Sequence, residues 1–434
     1  MENSRNVLSF LKVRAGYGQN GNVNPDYIGS YTLQGSYGTS SKYNGTLGFG
    51  MGNLPTPGIR WEKSATFDAA VDASFMENKY NLSVGFFNRI TSDLYANVDL
   101  PGSSGYNTIL TNNGSVRNNG LEIDASVKII NTKDWKWDIG GNITFIKSIV
   151  TKLPDNGNLN NRQGGQQVYS GKKLEDGTYE KIWIGGTQEG QRVGQMVGYI
   201  AEGIYQSEDE INRSGIKQDI TTYYGDAYSP EEYAKLSPED QAKNYKLAPG
   251  DIKWKDINGD GIIDQYDQAS LGNQVPKWTG GINTTVAWKG LTLYAKLDFA
   301  LGHTIYDNIR PGFLSNNQGE FNTLEDVKDT WTPENTGAKY PRYDRADGLI
   351  KNNYRGSTLF AHKGNYLCFR DITLSYALPQ SLISKVNVQG LTFSVTGQNL
   401  GYLKSNVYTP EGRGFANSGY PLPISIVFGA QLTF

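Results

Sequence analysis

The sequence predicts an all-β fold: part of an antiparallel transmembrane β-barrel, about ten strands, with long loops at one end. Three observations predict it. Apolar and polar residues alternate with period 2 in ten separate segments. Short and long connections take turns between those segments. The composition is polar yet aromatic: 37% hydrophobic, 12% aromatic, 28 tyrosines and a mean hydropathy of −0.52. A soluble core protein is more apolar, and a disordered chain has fewer aromatics. A wall that is wet on one face and in lipid on the other averages out in between.

The ten segments lie near 7–18, 60–76, 79–95, 115–131, 134–152, 277–288, 290–302, 365–378, 389–400 and 422–434. In the second, Ala65, Phe67, Ala69, Val71, Ala73 and Phe75 alternate with Thr66, Asp68, Ala70, Asp72 and Ser74. In the fourth, Leu121, Ile123, Ala125, Val127 and Ile129 alternate with Glu122, Asp124, Ser126 and Lys128. The seventh sets Leu291, Leu293, Ala295, Leu297, Phe299 and Leu301 against Thr292, Tyr294, Lys296 and Asp298. Several segments exceed the roughly 9–11 residues that a tilted strand needs to cross a bilayer, so they are expected to project beyond it.

Short connections follow the second, fourth, sixth and eighth segments, at 76–79, 131–134, 288–290 and 379–388. Long ones follow the odd segments, the largest being 153–276. This is the two-sided geometry of an outer-membrane barrel, with tight turns on one side and large loops on the other. Phe75, Trp135, Trp137 and Trp288 fall beside short turns, where an interfacial aromatic girdle belongs. A soluble sandwich or β-solenoid also alternates, but has no reason to gather its long loops at one end.

Several function classes are disfavoured. A net charge of −2 offers no basic field for nucleic acid. Cys368 is the only cysteine, so no internal disulfide forms. The two histidines, His303 and His362, lie far apart, which argues against a histidine-built zinc centre. No stretch reaches the roughly 18 apolar residues of a spanning helix. The first residues, "MENSRNVLSFLKVRAGYG", lack an apolar core and a cleavage site, so they are not read as a signal peptide.

Within 153–276 some helix is expected. "SPEE" (229–232) and "SPED" (237–240) each place Ser at the N-cap, Pro at the first helical position and acids in the first turn. "SEDEI" (207–211) reads as a third start.

"DINGDGIIDQYD" (256–267) has the spacing of a calcium loop. Asp256, Asn258 and Asp260 would supply side chains, Ile262 its carbonyl, and Asp264 a direct or water-bridged oxygen. Gly261 permits the sharp turn. Asp267 stands where a helix–loop–helix calcium site has Glu. Pro249, Gly250 and Pro276 disfavour the two flanking helices, so the expected site is a static brace for Ca2+ and not a sensor. A solvated turn of Asp, Asn and Gly without metal is the other reading of the same residues.

Other motifs carry less. "GYGQNG" (16–21) matches a dinucleotide-loop pattern, but Pro25 follows where a helix is needed; it reads as a strand end. Asp68, Asp72, Glu122 and Asp124 fall on polar strand faces and read as lining of a wet lumen rather than as an acid pair. Trp183, Tyr223, Tyr224 and Trp254 in the large loop read either as loop packing or as stacking surfaces for a ligand. No catalytic residues are assigned. The closing "FGAQLTF" resembles the sorting signal of bacterial outer-membrane barrels.

Six segments, in order, resemble one family: "LKVRAGYGQNGN" (11–22), "VGQMVGYIAEGIYQSEDEI" (193–211), "GDIKWKDINGDGIIDQYDQASLGNQVPKWTGGIN" (250–283), "WTPENTGAKYPRY" (331–343), "YLCFRDITLSYALP" (366–379) and "VTGQNL" (395–400). Together they resemble the C-terminal part of SusC/RagA-type TonB-linked outer-membrane transporters of Bacteroidetes. The resemblance implies a 22-stranded barrel with an N-terminal plug, of which residues 1–434 would supply the C-terminal half. It implies a bacterial outer-membrane location and TonB-driven, non-enzymatic import of glycan oligomers or peptides. The implied partners are a SusD-like surface lipoprotein, TonB through an N-terminal region, and outer-membrane lipid. Residues 153–276 would be a large extracellular loop region carrying the calcium-type loop. No plug or TonB box is recognised, so the chain is expected to be a fragment. Two other readings use the same residues: a self-contained ten-stranded barrel acting as adhesin or passive pore, and a secreted calcium-braced carbohydrate-active enzyme.

Overall fold

The computed structural model describes residues 7–219, 225–315, 322–343, 352–383, 388–404, 415–416 and 422–434. Ten strands form one antiparallel sheet in chain order. They are β1 (Leu8–Asn22), β2 (Glu62–Phe75), β3 (Tyr80–Asp99), β4 (Thr108–Asn131), β5 (Trp135–Lys152), β6 (Trp278–Trp288), β7 (Leu291–Leu301), β8 (Tyr366–Ala377), β9 (Gly390–Lys404) and β10 (Ser425–Thr433). All ten predicted segments are strands. Strand β1 has only β2 as a sheet neighbour and β10 only β9, so among the described residues the sheet is not closed on itself.

Register carries the alternation from strand to strand. Val13 pairs with Val71, Val71 with Val84, Val84 with Ile123, and Ile123 with Ile143. The row continues through Gly280, Phe299, Leu367 and Leu403. The neighbouring row points to the opposite face and is mostly polar: Lys12, Asp72, Ser83, Asp124, Asn142, Gly281 and Asp298. The apolar row has no protein against it: Val13 is 73% exposed, and Val71, Phe86 and Leu293 are exposed too. The greasy side chains of the wall therefore do not meet in a dry centre.

Dry cores exist in a different place. Ile211, Leu247, Ile263, Ile305, Leu314 and Phe360 are fully buried, and all lie between β5 and β8 outside the ten-stranded sheet. They pack short strands and helices into a layer over one end of the wall. Helices α1 (Glu208–Ser214), α2 (Pro230–Lys235) and α3 (Pro238–Lys243) start where expected. Ser207, Ser229 and Ser237 accept the backbone N–H of Glu210, Glu232 and Asp240.

Two boundary expectations fail. The third and fourth strands run on to Asp99 and back to Thr108, so their loop shrinks to 100–107. The register shifts between Thr91 and Tyr95, and Asp93 takes a positive φ of 55°. This bulge breaks the alternation without ending the strand. The connection from β8 to β9 is correspondingly longer than 100–107 and holds a short helix, Gln380–Ile383. Connection length thus does not alternate strictly. The ends do: the hairpins at Phe75/Tyr80 and Trp288/Leu291 and the terminal pair Gly390/Thr433 share one side.

Candidate functional site

The polar face of the wall is built from residues that hold one another across strands. Asp72 accepts from Ser83 Oγ at 2.6 Å and from Arg14 Nε at 3.2 Å. In β8, Arg370 is the extra residue of a bulge between Phe369 and Asp371. It donates from Nε and Nη2 to the two oxygens of Asp298, at 2.6 and 2.9 Å, and from Nη1 to Asn399 Oδ1 at 2.7 Å. The pattern of residue types did not single out this three-strand clamp, because a bulge residue has no place in a period-2 count. Asp68, Asp72, Glu122 and Asp124 do lie on the polar face. At the short-turn end, Trp135 and Trp288 are directly paired and stacked, 5.6 Å between ring centres. "GYGQNG" lies wholly within β1.

The calcium-type loop is folded by its own side chains. Asp256 accepts from the N–H of Gly259 and Gly261, at 2.7 and 2.8 Å. Asp260 accepts from Ile262 N–H and Asn258 from Asp260 N–H. Asp264 accepts from Tyr266 N–H and from the Tyr169 hydroxyl. Asp267 is fully buried and accepts from Ile257 N–H at 2.9 Å and Asp264 N–H at 2.8 Å, tying the loop's two ends. Burial pushes its carboxyl up to about 6. The Tyr169 phenol is likewise raised, by burial and then by Asp264. Flanking helices are absent, as expected: strands Ile252–Trp254 and Gln268–Asn273 enclose the loop. Among the described residues no three His, Cys, Asp or Glu side chains converge as a metal set. Each carboxylate oxygen that accepts one N–H keeps a second lone pair, so the donor types still suit a hard cation.

Two of the loop aromatics, Trp254 and Trp183, make packing contacts within the layer. Trp254 is 3% exposed and donates to Asn352 O at 3.1 Å. Trp183 lies under the Arg162 guanidinium, 3.4 Å from its centre. Tyr223 and Tyr224 lie outside the described residues.

A ten-stranded meander with one face greasy and exposed, the other polar, and a folded layer at one end is matched by known proteins. The chain is 25% identical over 452 residues to TonB-dependent receptor P26 of Formosa agariphila, covering 98% of this chain and 40% of that protein. It is 24% identical over 438 residues to TonB-dependent receptor SusC of Bacteroides thetaiotaomicron, covering 99% and 38%. The chain is thus similar to part of TonB-dependent receptors of the SusC type. The RagAB peptide transporter structure superposes with a TM-score of 0.69 over 99% of this chain and 41% of that one, at 22% identity, which fixes the barrel fold. No family model matches the chain. It spans about two-fifths of the length of the relatives it matches. That similarity places the barrel in the bacterial outer membrane, with the Val13–Leu403 row toward lipid and the Asp72–Asp298 row toward the lumen.

Proposed function

We propose that this chain supplies wall and outer loops of a TonB-dependent importer of oligomeric nutrients, glycan oligomers or peptides. The observation that carries this reading is the register-matched polar row opposite a lipid-facing one, capped at one end by a packed layer. The polar face lines the route, and the layer between β5 and β8 is the extracellular part that meets ligand. A SusD-like surface lipoprotein covers that layer. Further strands complete the sheet at β1 and β10, since open edges in lipid leave backbone groups unpaired. The import reading is tested in cells carrying the complete gene. Accumulation of labelled glycan oligomers or peptides should need the gene and should stop when the proton-motive force is collapsed. Uptake that persists after the collapse would make the barrel a passive pore. Surface attachment without uptake would make it an adhesin.

We also propose that a calcium-class cation braces the outer layer through Asp256, Asn258, Asp260, the Ile262 carbonyl, Asp264 and Asp267. The residue spacing and the second lone pairs support it. Adding calcium after chelation should raise the unfolding temperature of the outer layer. No shift would leave the loop braced by its hydrogen bonds alone.

A further inference from the structure

A cavity of about 520 Å³ opens at the loop end of β6 and β7. Three of its lining side chains are cationic: Arg192, Lys277 and Lys363. No carboxylate lines it, and no aromatic ring apart from His303. Net charge is −2 for the whole chain, so this is a local concentration of positive charge and not a general basic surface.

Position follows from register. Trp278 pairs with Leu301, and Lys277 N–H donates to Leu301 O at 3.0 Å. Lys277 lies two residues before Thr279, and Gly302 two residues after Ala300. Both therefore continue the lumenal face of β6 and β7 past the end of the ladder. A side chain at 302 would strike the stem of Lys277, its Cβ lying 3.2 Å from Lys277 Cβ; glycine, at a φ of +78°, leaves the lysine room. The cavity is thus at the lumen's outer rim.

Two of the lining amides have their oxygens occupied. Asn365 spends its oxygen on Gly302 N–H at 2.8 Å, and Gln195 spends its oxygen on Gly185 N–H at 3.0 Å. Their NH2 groups remain as donors. His303 is 5% exposed, and its Nδ1 has no partner among the described residues. Three cations and two amide donors with no acid call for a ligand rich in anionic oxygens. A neutral sugar gains from carboxylate acceptors for its hydroxyls and from a Trp or Tyr platform, and the lining gives neither of these. A peptide of mixed sequence needs sockets for apolar side chains, and no large apolar side chain lines the cavity.

We infer that Arg192, Lys277 and Lys363 form a rim site for acidic glycan oligomers, reading uronate or sulfate groups as they enter the lumen. This rests on the import reading and narrows its substrate to acidic glycans.

The test is titration calorimetry on the complete gene product, purified in detergent. The probes are oligogalacturonate, a sulfated galactan oligomer, a neutral malto-oligomer and oligoglutamate of equal length. At least one acidic glycan should bind, and its affinity should fall as salt rises. Lys277→Gln with Lys363→Gln should weaken it by about tenfold or more. Arg192→Gln should weaken it separately, and serves alone if the double variant loses its heat-modifiable folded band. Equal binding of the neutral oligomer, unchanged affinity in the folded variants, or tighter binding of oligoglutamate than of either acidic glycan would overturn the assignment. Calorimetry does not read transport, so acidic-glycan binding without uptake would sink only the import reading.

Discussion

Arg342 Nε lies 2.7 Å from Asp251 Oδ1, joining residues 91 positions apart beneath the surface of the outer layer. Asp251 is fully buried. The same oxygen accepts from Asn353 Nδ2 at 3.0 Å, and the other accepts from Ala248 N–H at 2.9 Å. Asn353 in turn accepts from Ile252 N–H, and Arg342 also donates to the Tyr245 hydroxyl. Three distant stretches of chain are tied at one carboxylate. Arg342→Ala would leave that carboxylate buried without its cation, at a cost of about 3–5 kcal/mol. Amide hydrogen exchange should accelerate around 245–254 in this variant while the ten-stranded wall keeps its protection. Unchanged exchange at those amides would remove the lock from the account.

That lock was not legible in the sequence, and the wall was. Each wall strand repeats one local instruction, greasy then polar, and neighbours in sequence are neighbours in the sheet. Where the instruction is interrupted, as at Asp93, the strand continues but the reading stops. The outer layer has no such code. Its strands are a few residues long, and some pair in parallel across wide gaps, as Lys217 does with Ile262. The helix starts were legible because a serine cap acts within three residues. The loop at Asp256–Asp267 was legible as a turn, but the role of Asp267 as a clip between Ile257 and Asp264 needed coordinates.

The Arg370 clamp joins β7, β8 and β9 on the lumenal face. Its ion pair is partly exposed, 23% for Arg370 and 26% for Asp298, so water screens it. A double-mutant cycle of Arg370→Gln and Asp298→Asn should give a coupling of roughly 0.5–1 kcal/mol. Arg370→Lys should lose most of it, because an ammonium does not reproduce the two parallel bonds. Urea titration in lipid vesicles reads these differences. Full retention of stability by the lysine variant would show that charge alone, and not the fork, holds the bulge.

Acid should loosen the outer layer through its two histidines. Burial holds His303 and His362 below the ordinary value of 6.5. Around His362, Lys339 and Arg310 push the same way and Asp307 opposes them. Arg192, Lys277 and Lys363 line the cavity that His303 borders. Both are thus neutral in the fold and take up a proton more readily when unfolded. The stability they contribute is complete above about pH 6.5 and is lost as pH falls through their folded values, with a slope of at most about 1.4 kcal/mol per pH unit for each. Melting of the outer layer between about pH 7.5 and 5.5 should show this fall. His303→Asn and His362→Asn should flatten it; an undiminished slope in the double variant would assign it to carboxylates.

Adjacent residues of β3 should respond oppositely to the same substitution. Val84 pairs with Val71 and Ile123 on the lipid face, while Ser83 pairs with Asp72 and Asp124 on the lumenal one. Val84 lies four residues from Tyr80 at the short-turn end, near the middle of a crossing of roughly 9–11 residues. Val84→Arg places a guanidinium in hydrocarbon and should cost about 2–4 kcal/mol. Ser83→Arg loses the 2.6 Å bond to Asp72 but sets its charge between two carboxylates in a wet lumen. It should stay within about 1 kcal/mol of the parent. Folding yield into lipid vesicles, read as the heat-modifiable band, compares the two directly. A larger loss for Ser83→Arg than for Val84→Arg would mean that the faces had been assigned the wrong way round.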